Sequence, residues 1–347
     1  MRTRYFLALV TAGTLTLTAC GSGSGSDDDR TLTWASTGGQ FQEDEKTALQ
    51  EPFTAATDTA FKNVSPADPA QVRAMVKSGR TIWDLANMSW IYAGAYCGTL
   101  YEKLDHPDLD RDLFPKGTTG DCFVPTYRFA NVFSYNEDLF PGKKPSTIKD
   151  FFDTKGFPGK RIVFDYPKNG LLEAALVSDG VKPDELYPLD VDRAFRKLDT
   201  IKSQLIFAPS YGAVQQMLVD KQASMVITVT ARAIAAADSG ANLKAVWDFN
   251  TTDIGALVIP KGSPRSKLAQ DAIAFAVEPE QAKEYAKLTG TAPARVDIDI
   301  NSVDYSDRQK SFNAFLPDRG RLTEQSKEWW IEHTDEVLER WTEWKVG

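Results

Sequence analysis

Short apolar runs alternate with helical patterns along most of the chain, and this alternation limits the possible folds more than any other feature. Runs rich in apolar and β-branched residues predict strands at 31–35, 83–88, 128–135, 161–165, 224–229, 243–249 and 255–259. Between them, apolar residues at three- and four-residue spacing predict helices at 69–78, 190–202, 212–220, 231–239, 267–276 and 279–288. Such alternation indicates an α/β protein with largely parallel sheets.

The length of the chain makes two lobes the default expectation. The sequence has 347 residues, and about 320 of them are expected to fold, more than the ~250–300 residues at which one hydrophobic core stops growing. In open α/β sheets, ligands bind beyond the carboxyl ends of the strands, where loops meet. The loops predicted at the carboxyl ends of the strands are 36–40, 89–92, 165–170, 209–213, 230–232 and 250–253.

The N-terminus predicts export. Two arginines lie within the first four residues, and residues 5–19 are apolar or small and uncharged, which is typical of a secretory signal spanning residues 1–19. The tetrapeptide LTAC at 17–20 resembles the lipobox of bacterial lipoproteins. This resemblance implies that acyl chains on Cys20 anchor the protein to a lipid bilayer; an ordinary signal peptide with an incidental cysteine is the alternative. Residues 20–30, rich in Gly, Ser and Asp, are predicted to form a flexible tether.

The charge of the chain argues against nucleic acid as a partner. There are 40 basic and 48 acidic residues, for a net charge of −8. The predicted cleavage removes Arg2 and Arg4 and no acid, so the mature chain carries −10. Since affinity for nucleic acid depends on Lys and Arg that neutralise phosphates, we expect no such partner.

The cysteines divide between an anchor and a pair. With Cys20 assigned to lipid, Cys97 and Cys122 remain as an even pair in an exported chain, which predicts a disulfide between them. A metal pair or a catalytic thiol is the alternative, but neither His106 nor His333 lies at ligand spacing from a cysteine.

Candidates for catalysis are few. His106 lies in an acidic, turn-like stretch and His333 lies on the polar side of a predicted helix, so both are expected to be solvated. Gly-x-Ser-x-Gly, His-Glu-x-x-His and phosphate-loop patterns do not occur in the sequence. We therefore expect no enzyme, no catalytic residue, no metal and no cofactor. Hydrolysis of a glycosidic bond by a pair of carboxylates is the alternative.

The C-terminal segment 323–345 predicts an amphipathic helix. Trp330, Thr334, Val337, Trp341 and Trp344 recur on one face, and Glu and Lys occupy the other. We expect this stripe to pack against the protein core; a ligand cage built from the tryptophans is the alternative.

Several motifs together carry a resemblance that covers nearly all of the mature chain. They are WD at 83–84, YCGTLYEKLD at 96–105, DC at 121–122, FSYN at 133–136, FFDTKGFPGKR at 151–161, YPLDVDRAF at 187–195, EWW at 328–330, DEV at 335–337 and WTEW at 341–344. The chain resembles the extracellular solute-binding proteins of ABC importers, specifically the branch that includes spermidine- and putrescine-binding proteins. The resemblance implies a two-lobed periplasmic-binding-protein fold, type II-like, with two hinge crossings.

The same resemblance implies how the chain is divided and how it works. One lobe is expected at 30–134 with 254–301 and the other at 135–253 with 302–347, so the crossings fall near Tyr135 and Asp253. Hinge closure then traps a small-molecule solute in the cleft, and ABC permease subunits receive it. A monomer is expected outside the cytoplasm, at the outer face of the cell membrane or in a periplasm. A lipid-anchored hydrolase and a sensor module are the alternative classes.

Two positions that the family uses for ligand binding match in this sequence, Arg232 and Asp253. An arginine fork holds a carboxylate through two parallel hydrogen bonds, and an aspartate holds an ammonium group. A ligand that carries both groups would suit the pair. A structural ion pair that braces the hinge is the alternative.

The other predicted ligand-binding residues are Gly39, Trp90, Tyr127, Ser210, Tyr211 and Thr230. Ser210 and Tyr211 precede a predicted helix, where free backbone amides face a polar ligand. Gly39 permits close backbone approach, with a simple turn as the alternative. Polyamine-binding relatives commonly place Trp and Asn where Val229 and Thr230 stand, so an aromatic cage for an ammonium group is weakened.

The ligand is therefore predicted as a list rather than as one compound. Trp90, Tyr127, Tyr166 and Tyr211 are the rings that could rebuild an aromatic cage from other loops. A polyamine leads the list, an amino-acid-like zwitterion such as gamma-aminobutyrate is second, and a small organic or aromatic carboxylate is third.

Overall fold

The computed structural model describes residues 30–105, 110–317, 319–320 and 322–347. The predicted signal, Cys20, nearly all of the predicted tether and His106 lie outside the described residues, and those interpretations stay predictions. The strands are β1 (Thr31–Ala35), β2 (Ala60–Val64), β3 (Leu85–Ser89), β4 (Val124–Asn136), β5 (Arg161–Phe164), β6 (Leu205–Ala208), β7 (Met225–Val229), β8 (Leu243–Val258), β9 (Ala292–Pro293) and β10 (Thr323–Glu324). The α-helices are α1 (Gln40–Glu45), α2 (Glu51–Thr57), α3 (Pro69–Ser78), α4 (Trp90–Ala95), α5 (Ile148–Phe152), α6 (Leu171–Ser178), α7 (Val191–Asp199), α8 (Tyr211–Val219), α9 (Thr230–Asp238), α10 (Ser266–Ala276), α11 (Pro279–Thr289), α12 (Asp307–Phe312) and α13 (Lys327–Val346).

The described strands form one mixed sheet. Its order is β2-β1-β3-β8-β4-β7-β5-β6, with β10 beside β8 and β9 beside β4. The pairs β1–β2, β1–β3, β5–β6 and β5–β7 are parallel, whereas β8 and β4 run antiparallel to each other and to their neighbours β3 and β7. The α/β class is confirmed, and two long central strands make the sheet less parallel than predicted.

The central strands join the two ends of the sheet. The carboxyl end of β8 pairs with β3, and the carboxyl half of β4 pairs with β7. The prediction of two strands separated by a loop at 250–253 is wrong, because Leu243–Val258 is one strand. In it, Asn250 pairs with Val132 of β4, and Thr251 pairs with Thr323 of β10. Strand partners on both sides satisfy the backbone there, so polar side chains do not interrupt the strand.

Apolar side chains cover both faces of the sheet. Along β7, Met225 and Ile227 belong to one buried cluster and Val226 to another, as the two-residue repeat of a strand requires. The pattern missed β2, whose residues are mostly exposed at the edge of the sheet, and α6, whose sequence LLEAALVS is apolar on nearly every side. Neither segment has the clear periodicity that sequence analysis needs.

The six predicted helices all form, with ends that differ by at most a few residues. At the start of α3, the Asp68 side chain accepts a hydrogen bond from the Ala70 amide (2.8 Å), and Gly79 ends the helix at φ 67°. None of the helices that the structure describes is long and apolar enough to cross a membrane.

The C-terminal helix α13 packs as predicted. Trp330, Thr334, Val337 and Trp341 are buried, and the ring of Trp344 stacks on Phe195 at 5.4 Å between centroids. None of these side chains lines the cavity described below. The core-packing interpretation is therefore confirmed.

The predicted disulfide is also confirmed. Cys97 and Cys122 are bonded, with their Cα atoms 5.4 Å apart. The bond links the segment that follows α4 to the segment that enters β4.

Candidate functional site

A cavity of about 300 Å³ lies at the carboxyl ends of the parallel strands. Each of the six loop segments named from the sequence contributes to its lining, including 250–253, which is part of β8. These contributions are Thr37; Ser89 and Tyr92; Tyr166, Lys168 and Asn169; Pro209 and Tyr211; Ala231 and Arg232; and Asp253. The sequence therefore predicted where the cavity lies.

The predicted site residues divide into two groups. Tyr127, Tyr211, Arg232 and Asp253 line the cavity. Gly39, Trp90, Ser210 and Thr230 do not: Trp90 is buried in the core, Ser210 caps α8 by accepting from the Ala213 amide, and Thr230 is a buried first residue of α9. Gly39 precedes α1 and lies beside Arg232, because a Cβ at Gly39 would be 3.3 Å from Nη1 of Arg232.

Hydrogen bonds hold the guanidinium of Arg232 in the wall of the cavity. One of its nitrogens donates to Oγ1 of Thr37 (3.1 Å) and to the carbonyl oxygen of Gly38 (3.0 Å). The group lies 5.9 Å from the ring of Phe41 and 5.7 Å from that of Tyr211. The side chain is 2% exposed, and burial lowers its pKa. Nε and Nη1 donate to no described residue, and the side chain lines the cavity, so these N–H groups suit an anionic partner there.

Asp253 pairs with a lysine rather than with Arg232. Nζ of Lys168 lies 2.6 Å from Oδ2 of Asp253 and also donates to the hydroxyl of Ser89. Ser89 in turn donates to Oδ2 of Asp253 (3.0 Å), and Oδ1 accepts from the Ile254 amide (2.8 Å). Within the part of the chain that the structure describes, no ion pair joins Arg232 to Asp253. The charges of Lys168 and Asp253 thus neutralise each other.

Aromatic rings form much of the cavity wall. Phe164 and Tyr211 stack with centroids 4.3 Å apart, and Tyr92 lies 5.7 Å from Tyr166. The hydroxyl of Tyr211 accepts a hydrogen bond from Nδ2 of Asn169 (2.9 Å). Three of the four rings proposed for an aromatic cage, those of Tyr127, Tyr166 and Tyr211, line the cavity, and the ring of Trp90 does not.

A buried carboxyl group lies behind the cavity. Oε1 of Glu45 accepts from Nδ2 of Asn87 (2.5 Å) and from the hydroxyl of Tyr285 (3.0 Å), and Asn87 accepts from the hydroxyl of Tyr127 (3.2 Å). Burial raises the pKa of Glu45 to about 7. Asn87 and Tyr127 line the cavity, so this network fixes the orientation of two polar side chains that a ligand would meet.

Sequence reasoning missed Lys168, Ser89 and Asn87 as individual residues. Lys168 lies in a predicted loop, and Ser89 begins another, but nothing in a single sequence distinguishes Lys168 from a solvated lysine. It lies between Pro167 and Asn169, in the loop that follows β5. Asn87 is a polar residue inside an otherwise apolar strand, which is a usable signal for a side chain that faces a site.

Comparisons with known proteins agree with this architecture. A family model described as bacterial extracellular solute-binding protein matches residues 48–311. The gamma-aminobutyric acid-binding protein of Pseudomonas aeruginosa is 28% identical over 327 residues, which cover 91% of each chain. Among solved structures, the Atu4243 GABA receptor is 32% identical with a TM-score of 0.77, over 91% of this chain and 97% of that one.

Two further solved structures differ in what they show. The binding protein AgtB from A. tumefaciens R10, in complex with agropinic acid, is 28% identical with a TM-score of 0.82, over 91% of this chain and 99% of that one. The spermidine/putrescine-binding protein PotD from Streptococcus pneumoniae is 17% identical with a TM-score of 0.66, over 91% of this chain and 99% of that one. At that identity, PotD supports the shared fold alone.

The family match spans most of the chain, and the fold is that of the two-lobed periplasmic binding proteins. Proteins of this kind bind a small molecule, work with ABC permeases and are not enzymes. The chain belongs to the bacterial extracellular solute-binding proteins and is a substrate-binding protein of an ABC importer.

Proposed function

We propose that this substrate-binding protein captures an amino-acid-like zwitterion, of which gamma-aminobutyrate is the simplest example. The observation that carries the proposal is the buried guanidinium of Arg232, which lines the same cavity as the carboxylate of Asp253. One group suits a ligand carboxylate and the other suits a ligand ammonium. Two relatives whose names specify gamma-aminobutyrate, each matching 91% of this chain, support the same chemistry.

The surroundings of Arg232 favour a carboxylate partner. Thr37 and Gly38 hold one nitrogen of the guanidinium, and the rings of Phe41 and Tyr211 restrict its plane. A planar fork that is already oriented loses little freedom when it binds a carboxylate. The contacts with Thr37 and Gly38 also support a bracing role, so Arg232 would both bind the ligand and stabilise the closed cleft.

A polyamine, which led the list drawn from the sequence, has less support. The buried charges that line the described part of the cavity are two cations, Lys168 and Arg232, and one anion, Asp253. A ligand with two or more ammonium groups would add like charge to this buried excess; Asp68, the other charged residue of the described lining, is half-buried and its side chain caps α3. A small organic or aromatic carboxylate agrees with this charge balance and remains the second candidate.

The division into lobes is proposed as the resemblance implied it, at 30–134 with 254–301 and at 135–253 with 302–347. Strands β4 and β8 would then carry the two crossings. The pairing of β8 with β3 at one end, and of β4 with β7 at the other, supports crossings within these strands. Since Asn131–Tyr135 already pair with β7, the first crossing is best drawn a few residues before Tyr135.

The mature protein is proposed to be a monomer anchored outside the cytoplasm. The apolar leader and the LTAC tetrapeptide support lipidation of Cys20, and residues 20–30 would connect the acylated cysteine to the folded domain. ABC permease subunits would receive the ligand at the membrane surface.

Isothermal titration calorimetry of the purified protein tests the proposed ligand class. Gamma-aminobutyrate is expected to bind, and Arg232→Met is expected to lower its affinity by roughly 10- to 100-fold, because a charge-assisted hydrogen-bonded contact is lost. Arg308→Met is the matched control, since Arg308 pairs with Asp238 at the surface. Binding of putrescine or spermidine without binding of any carboxylate would overturn the proposal.

A further inference from the structure

A cluster formed by Ser89, Lys168 and Asp253 lies in the wall of the cavity. Asp253 is the buried carboxylate of the described cavity lining, and Lys168 and Asp253 have side chains that are each 4% exposed. Asp68 also lines the cavity, but it is half-buried and its side chain caps α3. An ammonium group of a ligand would therefore be directed to Asp253.

Groups of the protein already donate to both carboxylate oxygens of Asp253. Oδ2 accepts from Lys168 (2.6 Å) and from Ser89 (3.0 Å), and Oδ1 accepts from the amide of Ile254 (2.8 Å). Lys168 thus occupies the position beside Asp253 that the ammonium of a ligand would take. Nζ of Lys168 also lies 5.4 Å from the ring of Tyr92, so the same lysine uses an aromatic face that would attract a ligand cation.

The lysine is held in place from behind. Its backbone carbonyl accepts from Nε2 of Gln325 (2.7 Å) and from the amide of Gly170 (2.8 Å). Gln325 also donates to Oε1 of Glu173 (2.8 Å), which accepts from the indole of Trp330 at the start of α13. These contacts fix the backbone of Lys168, whose ammonium contacts Asp253.

We propose that Lys168 is a specificity-determining residue, a tethered ammonium that occupies Asp253 so that the cavity selects ligands by their carboxylate and rejects diamines. This inference rests on the proposed function. A diamine would have to displace Lys168 from its anion and leave it buried without compensation in a cavity that Arg232 also lines. A ligand with an ammonium and a carboxylate shares Asp253 with Lys168, while its carboxylate balances the excess positive charge.

The test uses three ligands with the same four-carbon chain: gamma-aminobutyrate, butyrate and putrescine. Gamma-aminobutyrate carries a carboxylate and an ammonium, butyrate carries a carboxylate alone, and putrescine carries two ammonium groups. Calorimetry would compare the wild-type protein with Lys168→Met, which keeps an unbranched side chain and removes the charge. Lys160→Met is the matched control, because Lys160 lies at the other end of β5, is exposed and does not line the cavity.

The wild-type protein is expected to bind gamma-aminobutyrate and butyrate within about tenfold of each other and putrescine at least about 100-fold more weakly. Lys168→Met is expected to raise the preference for gamma-aminobutyrate over butyrate, and the affinity for putrescine, by about tenfold or more, because Asp253 is released. Lys160→Met should change neither the preference for gamma-aminobutyrate over butyrate nor the affinity for putrescine. If Lys168→Met leaves both this preference and the affinity for putrescine within about threefold of the wild-type values, the inference is overturned while the proposed function stands.

Failure of the proposed function would give a different result. If the wild-type protein binds neither gamma-aminobutyrate nor butyrate, both the proposed function and this inference are overturned. A second variant covers the case in which Lys168→Met does not fold. The double variant Lys168→Met/Asp253→Asn removes both charges, and it should bind butyrate within about tenfold of the wild-type affinity and still reject putrescine. A larger loss of butyrate affinity would show that Lys168 binds the carboxylate directly and would overturn the inference.

Discussion

Nζ of Lys168 lies 2.6 Å from Oδ2 of Asp253, although 85 residues separate the two in the sequence. Both side chains are buried in the wall of the ligand cavity. The sequence predicted that Asp253 binds the ammonium of a ligand, and in the structure Asp253 has Lys168 as its partner. Arg232 remains a buried cation that faces the cavity with no ion-pair partner among the described residues.

The first prediction concerns the stability of this pair. Asp253→Asn is expected to lower the free energy of unfolding by about 3–5 kcal/mol, because it leaves the ammonium of Lys168 buried without an anion. The double variant Lys168→Met/Asp253→Asn should recover most of that loss. Urea unfolding of the three proteins measures both effects. Asp138→Asn, which breaks an exposed pair with Lys221, is the control and should leave the free energy of unfolding close to the wild-type value.

The second prediction concerns Gly39, a residue expected from the sequence to approach the ligand. Gly39→Ala would place a methyl group 3.3 Å from Nη1 of Arg232 at a backbone φ of 64°. The displaced guanidinium is expected to bind gamma-aminobutyrate about tenfold more weakly, as calorimetry would measure. Gly79→Ala is the control, since Gly79 has a φ of 67° and no atom within 4 Å of the added methyl group. Equal affinities of the two variants for gamma-aminobutyrate would show that Gly39 does not influence the ligand site.

The third prediction concerns the pH dependence that Glu45 imposes. Its pKa is about 7 in the folded protein against 4.5 as the ordinary value, so the folded state keeps a proton that the unfolded chain releases between these values. Stability therefore decreases as pH rises from about 4.5 to about 7, by roughly 3 kcal/mol from this group. Glu45→Gln, which mimics the protonated acid, should remove that part of the dependence.

Denaturant unfolding of the wild-type protein and of Glu45→Gln at several pH values between 5 and 8 measures the difference. The two proteins should differ most at the upper end of this range, where the wild-type carboxylate is charged and buried. Parallel stability curves for the two proteins would contradict the assignment.

The fourth prediction concerns the disulfide. The bond closes a loop with a sequence separation of 25 residues, so replacing both Cys97 and Cys122 by Ala is expected to lower the free energy of unfolding by roughly 3 kcal/mol. Ligand affinity should stay within about threefold, because neither cysteine lines the cavity. A change of stability below about 1 kcal/mol would show that the reduced chain retains structure in this loop.

The sequence by itself determined the features that depend on local pattern. Period-two and period-3.6 repeats predicted the α/β class, six helices and the buried stripe of α13, because each element must bury one face. The carboxyl ends of the predicted strands located the loops that meet at the cavity, since parallel strands end at one edge of a sheet. An even pair of cysteines after an export signal predicted the disulfide.

The tertiary structure alone decided which side chains meet. The polar run Asn250–Asp253 became a strand because β4 and β10 provide hydrogen-bond partners that no local pattern records. Trp90 packs in the core instead of lining the cavity, and Lys168, which resembles any solvated lysine in the sequence, is buried against Asp253. Burial and pairing arise from contacts between distant segments, so the charge balance of the cavity, and with it the ligand class, emerges when the chain is folded.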